Sequence, residues 1–328
     1  MSGLELVVEE TVFPLAEVFT ISRGSRTEAR VVTVRLSDGT YSGWGESVPY
    51  ARYDETVDGV IAAIRELEAD LQEGMSRLDL QDRLAPGAAR NALDCAFWDL
   101  EAKRAGERAH VLAGVAHPGP EVTAYTLSLA DPDSMRQKAA QHAHRPLLKI
   151  KLGGEGDMAR LEAVRQGAPD TDIIIDANEG WDADTYRALA PALVDLGVKM
   201  VEQPMPAGQD EALLEVERVL PVCADESCHD RQSLPGLAGK YDMINIKLDK
   251  TGGLTEALKL RAEAEAQGYA IMVGCMIGSS LAMAPATLVA QGAAYTDLDG
   301  PLLLAEDRDT PLKFDDRCVF PPDPALWG

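Results

Sequence analysis

Leu147-Leu-Lys-Ile-Lys-Leu152, Asp172-Ile-Ile-Ile-Asp176 and Lys199-Met-Val-Glu202 are short apolar runs, each closing at or beside an ionisable residue. Pro221-Val-Cys-Ala-Asp225 and Asp242-Met-Ile-Asn-Ile-Lys247 continue the series. The steps from Lys151 to Asp176, Glu202, Asp225 and Lys247 are 25, 26, 23 and 22 residues. Each step is the length of one strand and one helix. Working outward, Val122–Leu127 precedes the series, and Ala270–Cys275 and Ala294–Asp297 follow it. Eight strands separated by seven amphipathic stretches, such as 183–196 and 254–267, predict a parallel sheet closed into a barrel of the (β/α)7β kind.

The flanks have a different rhythm. Residues 2–11 and 29–37 alternate like strands, Ser37-Asp-Gly-Thr40 signals a turn, and 41–46 reads as a third strand. Helices are expected over about 54–72 and 87–104, the second with apolar residues at helical spacing. Ala113-Gly-Val-Ala-His-Pro-Gly-Pro120 looks like a connector. The last stretch is rich in proline and acid. The expected organisation is an α+β capping domain over 1–115, the barrel over 116–300, and a tail over 301–328 that returns to the cap.

The 328 residues suffice for such a barrel and a smaller domain. A hydrophobic fraction of 46% supports a sizeable core. A formal net charge of −23 repels nucleic acid and anionic membranes, so neither is expected as a partner. Five cysteines without a C-x-x-C pair fit reduced thiols in the cytoplasm better than a disulfide framework. The first residues lack a basic segment followed by an apolar one, and no apolar run approaches a membrane span. A soluble, cytoplasmic protein is expected.

Residues at the C-terminal ends of barrel strands converge on one mouth. Asp176, Glu202 and Asp225 would therefore meet there. Three carboxylates so placed repel one another and raise each other's pKa. A divalent cation resolves the conflict, and an oxygen-only donor set favours Mg²⁺ over zinc. Lys149 and Lys151 lie two apart on a strand and so share its inner side. Neighbouring ammonium groups should depress one another's pKa and yield a base near neutrality. Lys247 approaches from the opposite side. A metal gripping a carboxylate, with an amine on each face of the adjacent carbon, suits removal of a proton from one face and its return to the other.

Lys149-Ile-Lys151, Asp176-Ala-Asn178, Glu202-Gln-Pro204, Asp225-Glu-Ser227 and Lys247-Leu-Asp-Lys-Thr-Gly-Gly253 together resemble the enolase superfamily in its muconate-lactonising branch. The resemblance covers nearly the whole chain, including the cap. It implies Lys151 and Lys247 as the acid/base pair, Lys149 as the residue that tunes Lys151, a Mg²⁺ site at Asp176, Glu202 and Asp225, and chemistry through an enediolate. Asp297-Leu-Asp299 resembles the Asp-x-Asp with which the family's dipeptide epimerases hold a substrate ammonium group. Ser22-Arg-Gly-Ser-Arg26 resembles the loop that closes over the substrate. In epimerases of the L-Ala-D/L-Glu kind, an arginine at the place of Arg26 binds the glutamate carboxylate. Gly274-Cys275-Met276-Ile-Gly278 fits the seventh-strand loop, which implies that Cys275 and Met276 line the substrate site.

The expectation is thus an isomerase that epimerises the C-terminal residue of a dipeptide. Alternatives are a cycloisomerase or o-succinylbenzoate synthase reaction, against which Asp297 and Asp299 argue, and a barrel that binds without catalysing. A racemase drawing its base from a late His–Asp pair fails, because no histidine follows His229. His142-x-His144 reads as helix surface, and Gly153-Gly-Glu-Gly156 lacks the lysine of a phosphate loop. Homo-oligomerisation is left open.

Overall fold

The structure, a computed structural model, describes residues 3–328. Met1 and Ser2, where the first expected strand and the cap begin, lie outside the described residues. The cap opens with a three-stranded antiparallel sheet: β1 (Glu5–Ile21), β2 (Gly24–Ser37) and β3 (Ser42–Ser47). The strands expected over 2–11 and 29–37 are parts of longer ones. Ser22–Arg26 resembles a loop in the sequence, yet only Ser22 and Arg23 form a turn, across which Ile21 pairs with Gly24. A register shift between Pro14 and Phe19 bends this hairpin. Its end then reaches the barrel, where Leu129 N–H donates to the Thr20 carbonyl at 3.0 Å.

Helices α1 (Val57–Arg65), α2 (Glu68–Glu73), α3 (Arg77–Arg83), α4 (Ala88–Ala105) and the short α5 (Ala109–Leu112) follow. The single helix expected over 54–72 is broken at Glu66–Leu67, where Leu67 turns into the core beside Ile64 and Leu71. Helix α4 is buried on both sides. Ala92, Leu93 and Phe97 pack with the cap sheet, while Cys95, Trp98 and Ala102 join the barrel core. Its approach to β3 requires glycine: a Cβ on Gly45 would stand 2.1 Å from the Ala92 carbonyl oxygen.

After β4 (Glu121–Val122), which lies outside the barrel sheet, the barrel comprises β5 (Tyr125–Leu127), α6 (Pro132–Gln141), β6 (Leu147–Lys151), α7 (Asp157–Gly167), β7 (Asp172–Asp176), α8 (Ala183–Asp195) and β8 (Val198–Glu202). It continues through β9 (Val222–Ala224), β10 (Met243–Ile246), α9 (Leu248–Thr251), α10 (Leu254–Ala266), β11 (Ala270–Gly274), α11 (Ser280–Ala290) and β12 (Tyr295–Asp297). Strands β5 to β12 pair in parallel in chain order, each beside the next. A parallel bridge between Thr123 and Thr296 brings the two ends together. The chain thus forms a TIM-type barrel with a capping domain.

Two of the seven connections differ from the helical stretches expected. Only 3₁₀ turns, Glu211–Leu214 and Arg231–Leu237, stand between β8 and β9 and between β9 and β10. Pro204, Pro206 and Gly208 occupy the start of the first, and Pro235-Gly236 interrupts the second. Helix α11 is buried throughout rather than amphipathic. His142 lies at the end of α6, not within it, and its ring stacks on Tyr125 at 3.9 Å.

The tail touches both parts of the molecule. Ala305 N–H donates to the Pro14 carbonyl at 2.8 Å, and Arg308 pairs with Glu46 of β3 at 2.6 Å. Further on, β13 (Cys318–Val319) pairs with β4, and the Trp327 indole donates to the Cys95 carbonyl at 3.0 Å. Among the described residues, no helix is long and apolar enough to cross a membrane.

Candidate active site

Inside the barrel, side chains alternate by two. Ala124, Leu147, Ile174, Met200, Cys223, Met243, Met272 and Tyr295 form an apolar floor, with one residue from each strand or its first flank. Two residues on stand Thr126, Lys149, Asp176, Glu202, Asp225, Asn245, Gly274 and Asp297. Gly274 has no side chain because Asn245 needs the space, where a Cβ would lie 2.7 Å from its amide oxygen.

Asp176 is level with Lys151 on one side and with Glu202 on the other. Carboxylate oxygens of Asp176, Glu202 and Asp225 lie within 4.8 Å of one another, all buried. Lys149 sits among them, 2.7 Å from Glu202 Oε2, 2.7 Å from Asp297 Oδ2 and 3.4 Å from Asp176 Oδ2. Lys151 Nζ lies 2.6 Å from Asp176 Oδ2, and Lys247 Nζ lies 2.6 Å from Asp225 Oδ2. Asp299 accepts the Thr126 N–H at 2.6 Å. Lys149, Lys151, Lys247, Asp297, Asp299 and Arg26 all line one cavity, with Cys275 and Met276 on its wall.

The electrostatics follow from burial and pairing. Burial pushes the Asp176 and Asp225 carboxyls up, but their lysines outweigh it. Asp176 is lowered to about 2 by Lys151 and Lys149, and Asp225 is held well below the usual range by Lys247 and Lys250. Glu202 is raised, by burial and then by Asp176. Burial, with Asp297 beside it, lifts Asp299 to about 7. Lys149 differs from its expected behaviour. Burial disfavours its charge, yet Asp297, Glu202 and Asp176 together raise its pKa well above the usual lysine range. The carboxylates decide its state more than the neighbouring lysine does.

The donor set fits a hard divalent cation. Among the described residues, these three acids are the group with metal-ligand proximity. Glu202 Oε2 is buried and makes no aligned hydrogen bond, despite its ion contact with Lys149. Only oxygens are offered, as Mg²⁺ prefers.

Several contributors were not singled out from the sequence. Lys250 places its ammonium 2.6 Å from Asp225 Oδ1 and 2.6 Å from the Asp225 carbonyl. Asn245 donates to Glu202 Oε1 at 2.7 Å. Gln203, with φ of +33°, accepts the N–H groups of Asp225 and Ser227 at 2.8 and 3.1 Å. Asn178 donates to both oxygens of Asp176, at 2.9 and 3.1 Å. Lys250 and Asn245 were legible as neighbours of Lys247, one helical turn after it and two strand positions before it. Gln203 and Asn178 act through an unusual backbone, which no spacing reveals.

A family model described as mandelate racemase / muconate lactonizing enzyme, N-terminal domain, matches residues 4–114, and one described as enolase C-terminal domain-like matches residues 133–325. The chain belongs to the mandelate racemase/muconate lactonizing enzyme family of the enolase superfamily. Within it, the chain is 47% identical to the L-Ala-D/L-Glu epimerase of Escherichia coli K12 over 309 residues, covering 94% of this chain and 96% of that one. It is 44% identical to an N-acetyl-D-glutamate racemase of a Pseudoalteromonas species, covering 91% and 95%. A crystal structure of an enolase family member from Agrobacterium tumefaciens, with homology to dipeptide epimerases, superposes with a TM-score of 0.98 at 54% identity and covers 99% and 100% of the two chains. That structure is described as holding bound sodium and L-Ala-L-Glu, with an ordered loop.

Proposed function

We propose that this chain is an isomerase that epimerises the C-terminal residue of L-Ala-D/L-Glu and related dipeptides by moving a proton between the two faces of its Cα. The observation that carries the reading is one cavity lined by Lys151, Lys247, Asp297, Asp299, Arg26 and Asp225, the last of which clusters with the buried carboxylates of Asp176 and Glu202. Asp176, Glu202 and Asp225 would hold Mg²⁺, and Cys275 and Met276 would wall the cavity. The bound ion would supply positive charge to the substrate carboxylate as the Cα proton leaves.

The remaining work falls to the chain. Lys151 and Lys247 approach from opposite strands, so one removes the Cα proton and the other returns one to the far face. Reversing the substrate's configuration exchanges their roles. Lys247 must lose its Asp225 partner to act as a base, because that pairing holds its ammonium in the charged form. Lys149 stays charged and offsets the acids around it. Asp297 and Asp299 receive the substrate ammonium, and Arg26 receives the side-chain carboxylate bidentately. The cap hairpin excludes water. The five cysteines are free, in keeping with a cytoplasmic enzyme, and such a dipeptide fits the metabolism of cell-wall peptides.

A second reading, racemisation of an N-acylated glutamate, is favoured by one observation. Lys149 already stands 2.7 Å from Asp297, so this acid does not need a substrate ammonium to balance it. Proton NMR in D₂O with Mg²⁺ separates the two. Loss of the glutamyl α-proton signal from L-Ala-L-Glu supports the dipeptide reading. Loss only from N-acetylglutamate transfers the site to the second. Loss from neither removes both.

A further inference from the structure

The end of the cap hairpin holds a second arginine that the proposed chemistry does not use. Arg23 stands in the two-residue turn between Ile21 and Gly24. One terminal nitrogen donates to the Asn178 carbonyl at 2.8 Å and to Glu179 Oε2 at 3.1 Å. The other donates to Glu226 Oε1 at 2.8 Å and to the Tyr50 hydroxyl at 3.0 Å. Ser22 adds a bond from its hydroxyl to the same Asn178 carbonyl at 3.0 Å.

The receiving residues are built for this contact. Asn178 and Glu179 have φ of +45° and +65°, which cost free energy for non-glycine residues and persist where the surroundings impose them. Arg52 grips the Glu179 carboxylate with two nitrogens, at 2.9 and 2.8 Å. The amide groups of Asn178 hold Asp176 from the other side. Glu226 follows Asp225 directly and is buried, with Oε2 unpartnered. A planar guanidinium can serve both loops at once, where an ammonium reaches them as a point charge.

We propose that Arg23 is a positioning residue: it clasps the cap hairpin onto the two strand-end loops that follow Asp176 and Asp225, and so holds the cavity shut over its substrate. The clasp rests on the dipeptide reading for its purpose and on the contacts above for its geometry. Tyr50 links it to recognition. Its ring lies beside Arg23 and beside Arg26, whose guanidinium carbons stand 6.0 and 5.7 Å from its centre. Opening the clasp therefore frees the wall against which Arg26 is set.

Hydrogen exchange followed by mass spectrometry over residues 18–27 tests the clasp directly. Parent protein, Arg23→Gln, Glu226→Gln and the double variant are compared without substrate. Glu226→Gln should speed exchange of these amides about tenfold, the effect of losing one charge-assisted hydrogen bond, and Arg23→Gln, which loses the bonds to Asn178, Glu179 and Tyr50 as well, by more than that. The double variant should exchange no faster than Arg23→Gln alone, with the melting temperature unmoved. With L-Ala-L-Glu, Arg23→Gln should raise KM about tenfold, and Arg23→Lys should recover part of that loss. Unchanged exchange in Arg23→Gln, additive effects in the double variant, or a general loss of protection with a fallen melting temperature would each overturn the clasp. If the parent leaves the α-proton of L-Ala-L-Glu in place, the dipeptide reading fails, while the exchange pattern still decides whether the clasp exists.

Discussion

The two ends of the barrel are built from the same strands and do opposite things. Leu147 belongs to the floor, while Lys149 and Lys151 rise from the same strand into the mouth. Met200 and Glu202 divide likewise, as do Cys223 and Asp225. The floor has no charge and gains its stability from burying apolar surface. The mouth holds buried charges that repel or desolvate one another, and such groups favour chemistry over stability. A displacement of two residues along a strand separates the one task from the other.

The largest expected effect lies in the mouth. Lys151→Met or Lys247→Met should lower epimerisation about 10³-fold or more, since each removes one of the two proposed proton carriers. Their consequences should differ from a metal-site defect in one readout. Each variant should still exchange the α-proton of one substrate epimer with solvent deuterium, and the two should prefer opposite epimers. Equal exchange of both epimers by either variant would break the two-base assignment. Melting temperature should change little, because Lys149 and Lys250 still pair with Asp176 and Asp225 when Lys151 or Lys247 is removed.

The floor predicts the converse. Met200→Ala removes a fully buried side chain, at a cost of about 2–5 kcal/mol in stability. Activity per folded molecule should remain near the parent's at low temperature, as urea unfolding and the NMR assay on one sample would show. A variant of equal stability but lost activity would mean that floor and mouth are not separable.

This division explains what could be read in the sequence and what could not. Each barrel strand was legible because an apolar run of fixed length recurs at a fixed interval. The ionisable residues at their ends were legible for the same reason. The connections after β8 and β9 were misread because interrupted apolar stretches resemble helices until their prolines are weighed. The hairpin end read as loop throughout because Gly24, Ser25 and Arg26 carry loop-forming composition, although they pair with Ile21, Thr20 and Phe19. Lys149 was placed correctly and its electrostatics reversed, because Asp297 lies 148 residues away and only the closed barrel brings it to the ammonium.

A third, smaller effect belongs to the seam between cap and barrel. Asp94 on α4 is fully buried and accepts the Thr255 N–H at the start of α10, at 2.9 Å, and the Gln81 amide, also at 2.9 Å. Burial raises its pKa from 3.8 to about 6, its hydrogen bonds only partly opposing. The folded state thus binds a proton that the unfolded chain has released. Stability from this group is present below about pH 4, is lost as pH rises through about 6, and the loss amounts to ~3 kcal/mol at most. Asp94→Asn keeps the shape, and Gln81 can turn its amide to suit. Relative to the parent, the variant should therefore gain stability between pH 4 and 7. A parallel pH dependence of the two melting temperatures would show that Asp94 titrates normally.

The smallest effect sharpens the mouth itself. Arg26 lines the cavity and lies over Tyr50, while the carboxylates of Glu179 and Glu226 are taken by Arg23. Its guanidinium is therefore available to a substrate carboxylate, and a bidentate pair of that kind contributes about 1.5–3 kcal/mol. Arg26→Met should lower kcat/KM for L-Ala-L-Glu by roughly 10- to 100-fold. The loss should fall on KM more than on kcat, because the contact is made equally before and during proton transfer. For a dipeptide ending in an apolar residue, the same variant should lose nothing and gain a little, since it replaces an unmatched charge with an apolar wall. An equal loss on both substrates would make Arg26 part of the closure that Arg23 governs, not of the recognition of the second side chain.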